Sequence, residues 1–182
     1  MIPDEGQILD LHRRCGSNEA ILNHCRTVAA VADVLAAGLR ARGVSIDLRA
    51  VHAASMLHDI GRNRTQTVRH GLEGAEILER EGIDGSVAEI VRKHVGAGLS
   101  PEEAKNLELP DFDYIPRTPE ERVVCFADKM VDSTRVRPFE AEVQRFVKKG
   151  HDLNRLLALR DGLWRELGED PEKVVFDKIK RP

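Results

Sequence analysis

The chain has 182 residues, of which 41% are hydrophobic and 32% are charged, and its formal net charge at pH 7 is -3. A chain of this length can bury one core and falls within the size range of a single domain, so we expect one domain over residues 1–182. The small net charge argues against a nucleic-acid coat or an acidic tail, and nucleic acid is therefore not the expected partner.

Residues 1–5 show neither the basic region nor the apolar region of a signal peptide. No stretch is expected to stay apolar for the roughly 18 residues of a membrane-spanning helix, so no membrane partner is predicted. The three cysteines, Cys15, Cys25 and Cys125, have no C-x-x-C spacing and form an odd set, which argues against a disulfide framework or a zinc ribbon. We interpret Cys25 and Cys125 as small core side chains. These features predict a cytoplasmic protein.

The first predicted helix begins after Asn18, a favourable N-cap residue, and ends near Arg42 at Gly43. Its apolar residues follow the i, i+3, i+4 spacing of a helix with one buried face. A second helix begins after Asp47 and ends in the motif His58-Asp59-Ile60-Gly61. Because glycine enters the left-handed region at no steric cost, Gly61 is expected to end this helix at once and to leave His58 and Asp59 at a cleft.

Helical periodicity and capping signals continue along the rest of the chain. Further helices are predicted over about 70–81, about 87–94, a short segment from Ser100 and Pro101, the segment after Thr118, about 139–149, about 153–167 and from Pro171 to the end. The stretch from Leu109 to Arg117 contains two prolines and is predicted to be a loop of the kind that often lies over a cleft. No convincing period-two strand is found, so the predicted fold class is all-α.

Several histidines and aspartates stand in these apolar helices or at their ends. The candidate metal ligands among them are His24, His58, Asp59, His70, His94 and Asp128. Burying such groups costs free energy unless a partner offsets the desolvation, and a shared metal would be that partner. Imidazole and carboxylate together suit a divalent ion such as Mn, Fe, Co or Ni rather than a thiolate zinc site. We interpret the remaining histidines, His12, His52 and His151, as surface or packing residues.

The order of a histidine, the motif His58-Asp59-Ile60-Gly61 and a later aspartate resembles the HD superfamily of metal-dependent phosphohydrolases. The resemblance covers about residues 18–132 and implies an HD-type helical bundle. Residues from about 138 to 182 would then be a C-terminal helical extension. Two features differ from the best-known branch, because no Gly-Tyr-Pro motif follows His94 and Arg62 stands where that branch has lysine. The missing motif argues against a cyclic dinucleotide as the substrate.

The resemblance also implies which residues hold metal. The implied ligands of a first ion are His24, His58, Asp59 and Asp128. In the six-ligand branch a second ion would be held by His70 and His94, with Asp59 as the bridge. For His70 and His94 a plain structural role at a helix end stays open. The expected cofactor is therefore one or two divalent ions, drawn from Mn, Fe, Co, Ni, Mg and Zn.

Two metals roughly 3.5–4 Å apart can share one hydroxide, lower its pKa toward 7 and polarise a phosphoryl group. The expected function is a phosphomonoesterase or phosphodiesterase that uses a metal-activated hydroxide on a nucleotide or related small phosphoester. Asp59 and Arg62 are the predicted catalytic residues. Asp132, one helical turn beyond Asp128, is a candidate to orient a ligand or a water. Candidate phosphate contacts, which could equally be a solvated surface, are Arg62, Arg64, Lys93 and Lys129.

Two other functions stay open at this point. One is a metal-dependent nucleotide-binding regulatory protein without turnover, which uses its C-terminal helices to contact a partner. The other is an RNA-end processing enzyme, which the weak net charge disfavours. The sequence leaves open whether the chain forms a homo-oligomer.

Overall fold

A computed structural model describes residues 1–179, and within this range the chain folds into ten α-helices. They are α1 (Glu5–Cys15), α2 (Glu19–Ala41), α3 (Leu48–Leu57), α4 (His70–Arg80), α5 (Gly85–Lys93), α6 (Pro101–Asn106), α7 (Pro119–Lys129), α8 (Phe139–Lys149), α9 (Leu153–Leu167) and α10 (Pro171–Lys178). The prediction of an all-α fold is confirmed. Residues 180–182 of the predicted C-terminal extension lie outside the described residues.

Two short elements complete the fold. A 3-10 helix, Ile60–Asn63, follows α3 almost directly. Two strands of two residues each, β1 (Val131–Asp132) and β2 (Arg135–Val136), pair antiparallel after α7. This hairpin was not predicted, because two-residue strands are too short to show a periodic pattern.

Helix α2 packs against α3, α7 and α10. Its start is fixed by Asn18, whose side chain accepts a hydrogen bond from the backbone N–H of Ile21. Side chains such as Val28, Leu35 and Leu39 are fully buried on its packed face. By length and composition α2 could also cross a membrane, so the prediction that no segment has this character was wrong. The residues that make it apolar supply much of the core of the bundle.

Helix α1 is a second element that was not predicted. Its signal is a capping box, in which the side chain of Asp4 accepts from the N–H of Gln7 and the Gln7 side chain accepts from the N–H of Asp4. His12 on this helix is buried, and its Nε2 lies 2.7 Å from the carbonyl oxygen of Met56. His12 therefore packs α1 against the end of α3.

His52 on α3 joins three helices. Its Nδ1 lies 2.9 Å from Oδ2 of Asp33 on α2, and its Nε2 lies 3.4 Å from Oε2 of Glu5 on α1. The hydrogen bond to Asp33 outweighs partial burial and raises the pKa of His52 to about 9. Since the folded pKa exceeds the unfolded value of about 6.5, this stabilisation is complete below that value and is lost as the pH rises through 9.

We expect His52→Gln to lower the free energy of unfolding at pH 6 and to have little effect at pH 10. The His52 side chain is 41% exposed, so solvent screening limits the loss at pH 6 to about 0.5–1 kcal/mol. Urea denaturation of the wild type and the variant at both pH values measures the difference. An equal loss at pH 6 and pH 10 would show that the charge on His52 contributes nothing.

Candidate metal centre

His24, His58 and Asp128 form the first half of a cluster at one end of the bundle. Nε2 of His24, on α2, lies 3.1 Å from Oδ1 of Asp128, on α7. Nε2 of His58, the C-cap residue of α3, lies 3.3 Å from Nε2 of His24 and 3.5 Å from Oδ1 of Asp128. Oδ2 of Asp59 lies 3.8 Å from Nε2 of His58 and 3.9 Å from Nε2 of His24. Ligand atoms of His24, His58 and Asp59 are close enough together to contact a single cation, and so are those of His58, His94 and Asp128.

His70 and His94 form the second half. His70 is the first residue of α4 and His94 is the C-cap residue of α5, and their Nε2 atoms lie 3.0 Å apart. Oδ1 of Asp59 lies 3.3 Å from Nε2 of His70 and 3.6 Å from Nε2 of His94. The two oxygens of Asp59 thus face different halves of the cluster. This division of its oxygens suits a carboxylate that bridges two metals.

The four histidine rings are oriented in the same way. Each presents Nε2 to the cluster and donates from Nδ1 to a backbone carbonyl, His24 to Ser133 (2.8 Å), His58 to Ser55 (2.7 Å), His70 to Thr67 (2.7 Å) and His94 to Val91 (2.6 Å). A proton on Nδ1 leaves the Nε2 lone pair of a neutral ring free. Metal-binding histidines are commonly oriented in this way by a hydrogen bond from the other ring nitrogen.

The local environment of Asp59 fits a cation as well. Its Oδ1 is buried and has no hydrogen-bond partner within residues 1–179. Buried oxygens without a partner are rare in proteins, and each calls for an explanation such as a bound ion. Lone pairs on four imidazoles and the oxygens of two carboxylates suit a divalent ion with nitrogen and oxygen ligands. The residues present therefore fit a site for divalent metal.

The charges within the cluster favour a positive charge at its centre. Burial lowers the pKa of His70 to about 3 and also lowers the pKa of His94, so both rings are neutral at pH 7. Burial opposes ionisation of Asp59, but the neighbouring imidazoles of His58 and His94 hold the pKa of Asp59 below its usual range. Burial also opposes ionisation of Asp128, but the charge of Lys129 and the neighbouring imidazoles of His24 and His58 hold the pKa of Asp128 well below its usual range. Both carboxylates are therefore ionised at neutral pH.

Gly61 has a different role from the predicted one. Its φ is not positive, and α3 is followed by the 3-10 helix rather than by a left-handed turn at Gly61, so the prediction that a left-handed Gly61 ends the helix was wrong. A Cβ at this position would lie 2.0 Å from the carbonyl oxygen of His70 and 2.6 Å from the backbone N of Gly74. Gly61 is needed because α4 passes directly against it, which brings His70 up to Asp59.

The unpredicted hairpin contributes to the cluster through its turn. Ser133 has a φ of 58°, a left-handed conformation that is uncommon for a residue other than glycine. Its carbonyl oxygen is the partner of His24 Nδ1. The hairpin that follows α7 therefore orients the ring of His24. No local sequence signal predicts this contact, because a backbone carbonyl is present in every residue.

Two of the four predicted phosphate contacts line the cleft in which the cluster lies. Arg62 donates from Nε to Oδ2 of Asp59 at 2.6 Å, and its side chain is 32% exposed. Lys129 is buried beside Asp128 and donates to its Oδ2. Both cations therefore lie beside the carboxylates of the cluster, with Arg62 the more accessible of the two.

The other two predicted phosphate contacts lie outside the cleft lining. Arg64 pairs with Glu73 at 3.3 Å, and Lys93 pairs with Glu121 at 2.9 Å. Lys93 precedes a cluster histidine by one residue, which on a helix rotates its side chain by about 100° away from that neighbour. Arg64 and Lys93 are close in the sequence to proposed metal ligands, but their side chains do not line the cleft.

Two further predicted contributors to the site lie elsewhere. Asp132 lines the cleft, but it pairs with Arg137 at 2.8 Å, and the structure gives it no contact with a ligand residue. The loop from Leu109 to Arg117 was predicted to lie over a cleft, yet its residues do not line this one. The lining instead includes residues of α8 and His151, which follows that helix closely.

The cleft has a volume of about 620 Å³. The C-terminal part of the chain contributes four residues to its lining that were not predicted to belong to the site, namely Arg145, Phe146, Lys149 and His151. Arg145 and Lys149 are one turn apart and therefore lie on the same face of α8. That spacing was the available signal, but only the fold shows that this face looks into the cleft. His151, predicted to be a surface or packing residue, is exposed and lies at the edge of the cleft.

Because the cluster has two halves, replacing a ligand in one half should remove only part of the bound metal. We expect His94→Ala to reduce Mn²⁺ from two equivalents per chain to one, because only the second half loses a ligand. Elemental analysis after equilibrium dialysis measures the stoichiometry. His151→Ala is the matched control, since His151 lines the same cleft without contacting the cluster. Retention of two equivalents by His94→Ala would remove His94 from the metal site.

Comparison with known proteins agrees with this architecture. The profile of the HD domain matches residues 21–131, a segment that contains all six residues of the cluster. In solved structures, the HD domain of the L. monocytogenes phosphodiesterase PgpH is similar, with a TM-score of 0.55 over 93% of both chains and 17% identity. The same domain in complex with cyclic-di-AMP gives a TM-score of 0.54 over 88% of this chain and 95% of that chain, again at 17% identity. At this identity the likeness shows a shared fold.

Several proteins have a higher sequence identity to this chain than the PgpH domain has. An uncharacterised protein of Methanocaldococcus jannaschii is 38% identical over 79% of this chain and 88% of that protein. The tRNA (cytidine(56)-2'-O)-methyltransferases of Thermoplasma volcanium and Picrophilus torridus are 37% and 36% identical over 96% and 97% of this chain. In both cases the match covers 51% of the relative, so the chain spans about half the length of these two methyltransferases. Together with the profile match, these relationships show that the chain belongs to the HD domain family.

Proposed function

We propose that this protein is a metal-dependent phosphohydrolase that acts on a nucleotide or a related small phosphoester. The observation that carries the proposal is the position of Asp59, whose two oxygens face two separate sets of histidines inside one cleft. Membership of the HD domain family and the similarity to a phosphodiesterase domain support phosphoester chemistry. The proposed metal ligands are the six residues of the cluster.

The residues divide into two sets of ligands. His24, His58, Asp59 and Asp128 would hold one ion, and a second would be held by His70, His94 and the other oxygen of Asp59. When bound, divalent cations at this site would lower the pKa of water toward 7 and polarise a phosphoryl group. The hydrogen bonds from the four Nδ1 atoms hold the rings in the orientation that binding requires.

The cleft itself carries no excess of positive charge. Its lining includes four carboxylates and four basic side chains, namely Asp59, Asp128, Asp132, Glu142, Arg62, Lys129, Arg145 and Lys149. The two terminal nitrogens of Arg62 have no hydrogen-bond partner in the described part of the chain, whereas its Nε is held by Asp59. Arg62 is therefore proposed to bind a phosphate oxygen with its free nitrogens while the carboxylate fixes its position.

The test is an assay of the protein reconstituted with Mn²⁺ or Fe²⁺. Substrates would be nucleoside monophosphates, cyclic nucleotides and a chromogenic phosphodiester, with release of phosphate or alcohol as the readout. We expect turnover of at least one class, and addition of a chelator should abolish it. Stoichiometric metal binding without turnover of any substrate would contradict the proposal. Tight binding of a nucleotide that stays intact would then favour a nucleotide-binding regulatory protein.

A second candidate substrate is RNA, and the observation that favours it is the pair of tRNA methyltransferases that match almost the whole of this chain. Those names describe proteins about twice as long, so we do not propose methyl transfer for this chain. The RNA candidate would instead be hydrolysis of a phosphoester at an RNA terminus. It requires tRNA affinity that falls steeply with salt, together with release of phosphate from tRNA. Weak binding that is independent of salt would exclude it.

A further inference from the structure

A second cavity of about 360 Å³ adjoins the metal cleft. The two cavities share Val68, Val95, Gly96, Phe146 and His151 in their linings, so they are neighbouring parts of one depression. We call the second cavity the annex. Its volume lies within the roughly 300–1,000 Å³ of small-molecule sites. A ligand whose phosphate lies in the cleft could therefore extend into the annex.

The annex presents apolar surface to the solvent. Val68 and Leu107, both in its lining, are 36% and 39% exposed, and they are two of the few large apolar side chains so exposed within residues 1–179. Phe146 lies between the annex and the cleft, with its ring edge-to-face against His151 at 5.3 Å between centroids. Apolar surface that stays uncovered beside a polar cleft is typical of a site that binds the apolar part of a ligand.

The annex also has a fixed polar wall. Arg155 on α9 makes two hydrogen bonds to Glu103 on α6, at 2.6 and 2.9 Å, and one to the carbonyl of Gly98 at 3.2 Å. These bonds join α9 to α6. The carboxylate of Glu103 neutralises the charge of Arg155, so this arginine is not free to bind a phosphate. The side chain of Asn106 lines the same cavity and has no hydrogen-bond partner in the described residues. Its amide can donate to and accept from a heterocyclic ring.

We propose that the annex binds the base of a nucleotide whose phosphate lies at the metal cluster. This inference rests on the proposed phosphohydrolase function and adds the place where the base of its substrate binds. A nucleobase combines a flat apolar face, which suits the exposed side chains of Val68 and Leu107, with an edge of hydrogen-bonding groups, which suits Asn106. A second charged phosphate would find no free cation in the annex, where Arg155 is already paired.

The test measures binding of ligands that the enzyme does not hydrolyse. The probes are four nucleosides, adenosine, guanosine, cytidine and uridine, and separately inorganic phosphate, titrated calorimetrically into the Mn²⁺-loaded protein. Leu107→Glu places a charge in the annex at an exposed position, where folding should tolerate it. Val147→Glu is the matched control, because Val147 is a 62% exposed apolar residue of α8 that lines neither cavity.

We expect Leu107→Glu to weaken the best-bound nucleoside about 10-fold or more and to leave phosphate binding within about twofold of the wild type. Val147→Glu should leave both affinities unchanged, and melting temperature and metal content should match in all three proteins. The inference is overturned if no nucleoside binds, or if Leu107→Glu leaves nucleoside binding unchanged. Failure of the proposed function is a separate result: no phosphoester would be hydrolysed, while Leu107→Glu still weakened a bound nucleoside.

Discussion

Replacing Asp59 with asparagine is expected to abolish divalent metal binding and hydrolysis together. The substitution keeps the shape of the side chain but removes its charge and one of the two oxygens that face the histidines. Loss of residues that only support a metal ligand already reduces metal affinity about 10–100-fold, so loss of a shared ligand should cost at least about 100-fold for both ions. Equilibrium dialysis against Mn²⁺ followed by elemental analysis gives the affinities.

Asp132→Asn is the matched control for that experiment. Asp132 lines the same cleft but pairs with Arg137 rather than with the histidines, so its replacement should leave the metal content unchanged. The Asp59→Asn protein should also lose turnover of every phosphoester that the wild type hydrolyses. Wild-type metal affinity in Asp59→Asn would show that this carboxylate is not a ligand.

The second large effect is expected from Gly61→Ala. The added methyl group would lie 2.0 Å from the carbonyl oxygen of His70 and 2.6 Å from the backbone N of Gly74. Both contacts are with backbone atoms, so no side-chain rotation can relieve them, and α4 must move away. We expect a loss of about 3 kcal/mol or more in the free energy of unfolding, together with weaker binding of the second metal because His70 moves with α4.

The control for Gly61→Ala is Gly85→Ala. Gly85 is also helical, but a Cβ there would have no neighbour within 4 Å, so the change in stability should stay within about 0.5 kcal/mol. Urea denaturation and metal analysis of the two variants provide the comparison. If Gly61→Ala folded with unchanged stability and bound two ions, the close approach of α4 would not be what positions His70.

Most helices could be predicted because their ends carry local chemical signals. Asn18 and Thr118 cap the helices that follow them, and Gly150 and Gly168 adopt the left-handed conformation after α8 and α9. These signals depend on a few neighbouring residues, so they can be recognised without the fold. The role of Gly61 could not be predicted in this way, because it depends on α4, which packs against Gly61 from further along the chain.

The membership of the candidate metal cluster was also predictable in part. The structure brings the six predicted ligand residues together, since a histidine or aspartate in an apolar helix is unusual enough to be noticed. The carbonyls that orient the rings, such as that of Ser133, carry no side-chain signature. The side chains expected to bind phosphate were predicted from closeness in the sequence, and this did not account for the direction in which Lys93 points.

The most direct test of the central claim is the number of divalent ions that the folded protein binds. The claim is that two groups of histidines share Asp59 as a bridge between two ions. Metal-free protein would be dialysed against Mn²⁺, separated from unbound metal and measured by elemental analysis against the protein concentration. We predict two equivalents per chain. A folded chain that retains one equivalent or less at saturating Mn²⁺ would contradict the claim.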